Sequence, residues 1–238
     1  MSNLSQEQIN LKNKLSNIYK PKGVTSFDVV QQIKRLTGEK KVGHAGTLDP
    51  LAEGVLIVGV GRESTKKLRF ILEEDKEYIA EIKLGYYSTT DDEEGEKKKV
   101  KVKNWPTIEE IKKVTKTFIG DIIQISPAYS AIKIGGERAY KKARRGEKFT
   151  RPPRIVTIKE IEILEYQLKS FDEIKQSDGS IIPSGKYPVL KIKTIVGSGT
   201  YIRSIAREIG EKLNTGGYLT SLIRTRIGAH KIKDSIKL

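Results

Sequence analysis

The run GVLIVGVG at residues 54–61 limits most severely what this chain can fold into. Eight residues bounded by glycines fall far short of the about 20 apolar residues that cross a bilayer as a helix. Four of them are β-branched, and a short apolar run of this kind reads as a strand buried in a sheet. The start, MSNLSQEQINLKNKLSN, has no apolar core of the sort that directs secretion. A water-soluble, cytoplasmic protein with no membrane partner is therefore expected.

Around that strand the pattern alternates without a fixed rhythm. Residues 1–19 read as a polar, partly helical arm. Ser26 is placed to cap a helix over SFDVVQQIKRLTG, with Val29, Ile33 and Leu36 on one face and Gly38 closing it. STKKLRFILEED reads as a second, short helix. In KEYIAEIKLGYYS, Tyr78, Ala80, Ile82 and Leu84 recur every second residue, the mark of a half-buried strand. DDEEGEKKKVKVK follows as a hairpin or exposed loop. Thr107 and Glu110 form a capping box for a helix through Phe118. QISPAYSAIKIGG is a loop leading to the basic helix ERAYKKARRG. RIVTIKEIEILEYQL and YPVLKIKTIVG are strands separated by the insertion KSFDEIKQSDGSIIPSGK. TYIRSIAREIGEKL is a helix with Ile202, Ile205, Ile209 and Leu213 inward.

No repeat and no linker interrupts the chain. The strands do not alternate regularly with crossover helices, so antiparallel pairing is expected. The predicted class is α+β: a mixed, mainly antiparallel β-sheet flanked by helices, in a single domain spanning 1–238.

Charge narrows the partners. The formal net charge is +15, with basic residues recurring in KKVGH, RESTKKLR, ERAYKKARRGEKFTRPPR and SLIRTRIGAHKIK. Such a field favours nucleic acid through release of condensed counterions. The chain has no cysteine, which removes disulfides, thiolate nucleophiles and cysteine-ligated metals. The two histidines, His44 and His230, belong to no metal-binding spacing, and no metal is expected. VGVGRES resembles the start of a dinucleotide fingerprint, but Ser64 replaces the third glycine and no cofactor is expected.

The stretch GHAGTLDPLAEGVL at 43–56 carries the chemistry. Gly43, Ala45 and Gly46 leave room for close approach, and Asp49 precedes a proline that biases it toward an extended, projecting conformation. From spacing alone, Asp49 is either a reactive carboxylate or the cap of a turn.

KPKGVTS at 20–26, VGHAGTLDPLAEGVL at 42–56, KEYIAEIKLG at 76–85, ISPAYSAIKIGGERAYKKARRGE at 125–147 and GSGTYIRSIAREIGEKL at 197–213 resemble, in order, the blocks of the TruB family of tRNA pseudouridine synthases. The resemblance implies the catalytic fold of those enzymes and isomerisation of uridine to pseudouridine at position 55 in the tRNA T loop. It implies Asp49 as the nucleophile, Tyr78 stacking on a flipped-out uracil, and Arg203 as the guanidinium that keeps the carboxylate ionised. Asp92 matches an acidic member of the same network; an aspartate the family usually carries just before it is Thr89 here. His44 matches a residue that enters the T loop. Tyr201 and Leu222 match pocket residues, and Lys20 and Pro21 match the opening segment. Lys133, Arg138, Lys141, Lys142, Arg144 and Arg145 are expected to meet RNA phosphates.

The resemblance further implies a tRNA T-arm substrate, no cofactor, no guide RNA and a monomer. Many bacterial relatives continue into a C-terminal RNA-binding domain of the PUA type, which this sequence is expected to lack. The alternative reading is a tRNA-binding folding chaperone with incidental or lost catalysis.

Overall fold

Alternation along the apolar run explains how the first half of the chain is layered. The computed structural model describes residues 11–238, so residues 1–10 of the expected arm lie outside it. In β3 (Glu53–Val60), Leu56, Val58 and Val60 point to one side, where Ile18, Val29 and Ile33 complete a buried cluster. Val55 and Ile57 point to the other side, against Ala45, Leu68 and Ile227. Each face is covered by an amphipathic helix, α1 (Ser26–Thr37) and α2 (Arg62–Glu73). Double coverage is why the strand reads as a continuous apolar run rather than an alternating one.

The described residues form two compact units, one of residues up to 79 with 222–238, the other of residues 80–221. In the first unit β1 (Leu15–Lys20) pairs antiparallel with β3 and parallel with β16 (Ile236–Lys237). The hairpin strand β2 (Val42–Ala45) lies antiparallel on β3. The end of β14 (Gly217–Ile227) runs parallel to β3, with Ile223 opposite Glu53 and Arg224 opposite Gly54, and turns back antiparallel into β15 (His230–Lys231).

In the second unit the strand order is β14, β4 (Lys76–Leu84), β13 (Gly185–Val196), β10 (Pro153–Phe171), β7 (Gly120–Ile125). β10 pairs antiparallel with both β13 and β7. The unit's helices are α3 (Ile108–Lys116), α4 (Ala139–Arg144) and α5 (Ile202–Lys212). Three two-stranded ribbons complete it: β5 (Tyr86–Ser88) with β6 (Lys97–Lys99), β8 (Lys133–Ile134) with β9 (Glu137–Arg138), and β11 (Ile174–Lys175) with β12 (Ile181–Ile182). Unit boundaries fall inside β4 and β14, not in a linker. The fold is a mixed, mainly antiparallel sheet with flanking helices.

Four local expectations change. Residues 15–19 are most of strand β1 and not part of an arm. Thr25, not Ser26, is the cap of α1: its side chain accepts from Asp28 N–H in a reciprocal capping box, because Ser26 is committed elsewhere. His44, in the stretch read above for its small residues and close approach, is part of strand β2. The insertion at 169–186 carries the β11–β12 ribbon. The Thr107–Glu110 box is formed as expected, with Glu110 accepting from Thr107 N–H at 2.7 Å.

A buried lysine ties the insertion down. Lys83 is 1 % exposed, with its ammonium 3.7 Å from the Phe171 ring centre and 4.4 Å from that of Tyr187. Cation–π contact offsets part of the cost of burying the charge. Burial still dominates and pulls the Lys83 pKa from 10.5 to about 8. The unfolded chain binds the extra proton between those values, so stability is expected to rise with pH across that window, by roughly 1–2 kcal/mol from pH 8 to 9.5. Urea midpoints at the two pH values check this, and Lys83→Met should make the rise smaller, leaving the part that the other buried lysines, Lys20 among them, contribute.

Candidate active site

Three hydrogen bonds bind the opening turn to the aspartate loop in the first unit. Gly23 N–H donates to Pro50 O at 2.8 Å, Ser26 Oγ donates to Leu48 O at 3.0 Å, and Leu48 N–H donates to Ser26 Oγ at 2.8 Å. This is why KPKGVTS and GHAGTLDP occur together: one is the bracket of the other. Ala52 N–H closes the Asp-Pro turn on Asp49 O at 3.0 Å. The backbone on both sides of Asp49 is thus held, and its side chain is half-buried.

Lys20 is fully buried at the end of β1. Its ammonium donates to Pro21 O at 2.8 Å and Val24 O at 2.7 Å. Burial lowers its pKa to about 8, while the Asp49 carboxylate pulls it back up and the Arg224 guanidinium pushes it down. Tyr19, one residue earlier on the opposite face, donates to Glu53 at 2.6 Å, which raises its pKa to about 12.

Tyr78 is 8 % exposed on β4, and its hydroxyl accepts from Arg224 Nη1 at 3.5 Å. Leu222 is 7 % exposed and two residues from Arg224, so both project from the same face of β14. The His44 pKa is lowered by burial first and by the Arg224 charge second, against a backbone hydrogen bond at Gly46; its Nδ1 makes no hydrogen bond among the described residues. Lys20, His44, Asp49, Tyr78 and Leu222 all belong to this unit.

Sequence reasoning missed Arg224, which is 1 % exposed. A second miss is Gly54. It has φ of +109°, and a Cβ there would lie 2.2 Å from Arg224 O, so the glycine of LAEG is what lets β14 approach β3. The inward parity of Leu222 was the signal for Arg224, since the side chain two positions on shares its face.

The second unit holds the other expected residues. Arg203 is 5 % exposed on α5, so the helix face it occupies is not solvated. Its Nη1 donates to Thr90 O at 2.9 Å and its Nη2 to Tyr129 O at 2.9 Å, with Asp92 3.5 Å away. Asp92 also accepts from Glu94 N–H at 3.0 Å and from the Thr90 hydroxyl. Tyr201 is held through its backbone by the Gln124 side chain, with N–H to Oε1 at 2.8 Å.

Beside this pair stands another that the sequence did not disclose. Asp91, at a φ of +64°, meets Arg207 Nη1 at 2.5 Å. Burial raises the Asp91 pKa, opposed by Arg207, then Arg203 and Arg151. Arg203 and Arg207 are one turn apart on α5, so two adjacent aspartates are matched by two adjacent guanidiniums.

Of the six basic residues expected at phosphates, some are engaged within the protein. Arg145 pairs with Glu137 at 2.6 Å and Glu147 at 2.6 Å, and Lys142 with Glu147 at 3.4 Å. Arg138 donates to Ala131 O. Lys133, Lys141 and Arg144 remain exposed, with Arg144 stacked over Tyr140 at 5.6 Å. Among the described residues no group of acids and histidines is arranged to hold a metal, and no helix is long and apolar enough to cross a membrane.

Comparison with known proteins converges on one family. Residues 34–202 match the family model described as TruB family pseudouridylate synthase, N terminal domain. A protein of Gloeothece citriformis named tRNA pseudouridine synthase B is 44 % identical, covering 93 % of this chain and 66 % of its own. One of the same name from Clostridium tetani is 42 % identical, covering 95 % and 71 %. Among solved structures, a chain of a Cbf5-Nop10-Gar1 complex superposes with a TM-score of 0.65 at 28 % identity, over 96 % of this chain and 53 % of that one. A chain of an H/ACA RNP bound to a substrate RNA containing 2'-deoxyuridine gives 0.62 at 26 % identity, over 99 % and 53 %. The chain spans about two thirds of the length of these curated relatives and about half of the matched chains in the structures.

Proposed function

The chain belongs to the TruB family of pseudouridylate synthases, and we propose that it isomerises uridine to pseudouridine at position 55 in the T loop of tRNA, with Asp49 as the nucleophile. The observation that carries this reading is the turn around Asp49, braced on both sides and set beside a buried lysine.

The reaction breaks the bond from ribose to a uracil nitrogen and makes one to a uracil carbon, whose proton is lost. Nothing is added or oxidised, so a single nucleophilic carboxylate can divide the change into two easier steps. Asp49 attacks the nucleotide and holds the intermediate while the base turns. Lys20 places a positive field beside that carboxylate. Tyr78 offers a ring to the extruded uracil, repaying part of the few kcal/mol that unstacking costs. Within the second unit Arg203 and Asp92 form a buried guanidinium–carboxylate pair, the pair to which the family resemblance gives a part in the reaction. His44 and Leu222, both of the first unit, shape the entry for the flipped base. Lys133, Lys141 and Arg144 take phosphates of the T arm first, because the other three cations of that region already have partners in the protein.

Activity is proposed for the monomer acting on tRNA without a guide RNA, in the cytoplasm. Incubating the purified protein with an isolated T-arm hairpin and mapping pseudouridine chemically tests the activity and its independence of a guide RNA. Conversion of one uridine, at the position equivalent to 55, is expected. A protein that binds and refolds tRNA but leaves every uridine unchanged would instead be a chaperone. Binding should also weaken steeply with salt, by about tenfold or more between 50 and 200 mM, if several phosphates are contacted. Lys141→Ala and Arg144→Ala should each reduce that slope.

A further inference from the structure

We propose that Arg224 is a positioning residue for the reaction proposed above: its buried guanidinium sets where the Asp49 turn and the Tyr78 ring stand. The inference rests on the functional reading for its consequence, though not for its geometry.

Arg224 is among the largest side chains fully removed from solvent. Its Nε donates to Val55 O at 2.7 Å, its Nη2 to Gly46 O at 3.1 Å and its Nη1 to the Tyr78 hydroxyl at 3.5 Å. These acceptors come from three separate segments: the start of β3, the aspartate loop and β4. All three are neutral, and no carboxylate lies within ion-pair distance of the guanidinium among the described residues. Burying a charge against neutral acceptors is costly, and a site that needed only filled volume would be better served by an aliphatic residue. What a guanidinium supplies and an aliphatic cannot is a planar fork of donors at fixed angles.

The backbone is shaped to receive it. Gly54, opposite Arg224 in the strand register, permits the close approach of β14. Gly46 turns at a φ of +85°, which presents its carbonyl to Nη2. From Gly46 the chain runs through Leu48, clamped by Ser26, and Pro50, clamped by Gly23. Arg224 is therefore the anchor on the upstream side of Asp49, and the same fork orients Tyr78. Its charge also reaches Lys20 and His44, depressing both pKa values behind the larger effect of burial.

The test compares wild type with Arg224→Lys, which keeps the charge and loses the fork, and with Arg224→Met, which loses both. Single-turnover rate and affinity on the T-arm hairpin are measured beside the melting temperature and the His44 titration by NMR. With only two histidines in the chain, His230→Gln assigns the signal. Arg224→Lys is expected to remain folded and to bind RNA within about threefold of wild type, while its rate falls about 100-fold, the cost of a misplacement near 1 Å. His44 should titrate higher in Arg224→Met and unchanged in Arg224→Lys. A rate for Arg224→Lys close to wild type overturns the proposal, as does a loss that disappears on cooling in proportion to refolded protein. An inactive wild type would sink the proposed function instead. Arg224 is then judged by amide exchange at residues 46–49: faster exchange in Arg224→Lys upholds the anchor, unchanged exchange overturns it.

Discussion

Replacing Asp49 by asparagine is expected to reduce pseudouridine formation at least about 10³-fold while leaving the fold and the RNA affinity nearly intact. An amide is the same size as the carboxylate but is not a nucleophile, so the chemical step loses its first bond. The fold should not notice, because the turn is held by its backbone. Gly46 O, Leu48 N–H and O, and Pro50 O are each tied to a neighbouring segment, and none of those ties uses the Asp49 side chain. Removing one negative charge from a surface with a net +15 can only favour a polyanion, so binding should hold or tighten slightly. The measurement is single-turnover conversion of the T-arm hairpin together with a binding isotherm and a melting curve. Activity near wild type would remove Asp49 from the role of nucleophile. A melting temperature lowered by many degrees would move it to that of a turn cap.

The elements that were legible in the sequence are those whose burial pattern matches their chemistry. In β3 every inward residue is apolar, and in α3 the capping box announces the start of the helix. β1 was invisible for the opposite reason. Its inward positions are Ser16, Ile18 and Lys20, so no apolar alternation marks it as a strand. The end of β14 was hidden by Arg224, a charge where periodicity expects an aliphatic. Both misses come from buried cations at the candidate site, where the usual rule that charge faces water is broken. The Asp91–Arg207 pair was obscured differently. An acidic run such as DDEEG reads as solvated, and only the i, i+4 spacing of Arg203 and Arg207 hints that two of its carboxylates turn inward. The resemblance supplied Asp49, Tyr78 and Arg203. It did not supply what braces them.

That bracing predicts which glycine matters most. Gly54→Ala is expected to be the most damaging small substitution in the loop region, and Gly23→Ala is its control. Both glycines have positive φ, +109° and +91°, so alanine at either pays backbone strain of about 1–3 kcal/mol. Gly23 has nothing within 4 Å of its missing Cβ, and strain should be the whole effect. At Gly54 the added carbon falls 2.2 Å from Arg224 O and 3.0 Å from Arg224 N and C, all of them backbone atoms that no rotamer change can move. Relief requires β3 and β14 to separate by about 1 Å, against close-packed side chains on both faces of β3. The cost should exceed about 4 kcal/mol, a range reached only by a few specific mechanisms, backbone overlap in a core among them. In a chain of this length that lowers the melting temperature by at least about 10 °C, against a few degrees for Gly23→Ala. Differential scanning calorimetry of the two variants separates strain from overlap, and equal losses would show that β14 can yield. Because Arg224 is carried on the displaced strand, whatever fraction of Gly54→Ala folds should also have lost its hold on Gly46 and Tyr78. Its activity per folded molecule should therefore fall toward that of Arg224→Lys, whereas Gly23→Ala strains one clamp of the Asp49 turn but leaves the three Arg224 hydrogen bonds in place and should lose less.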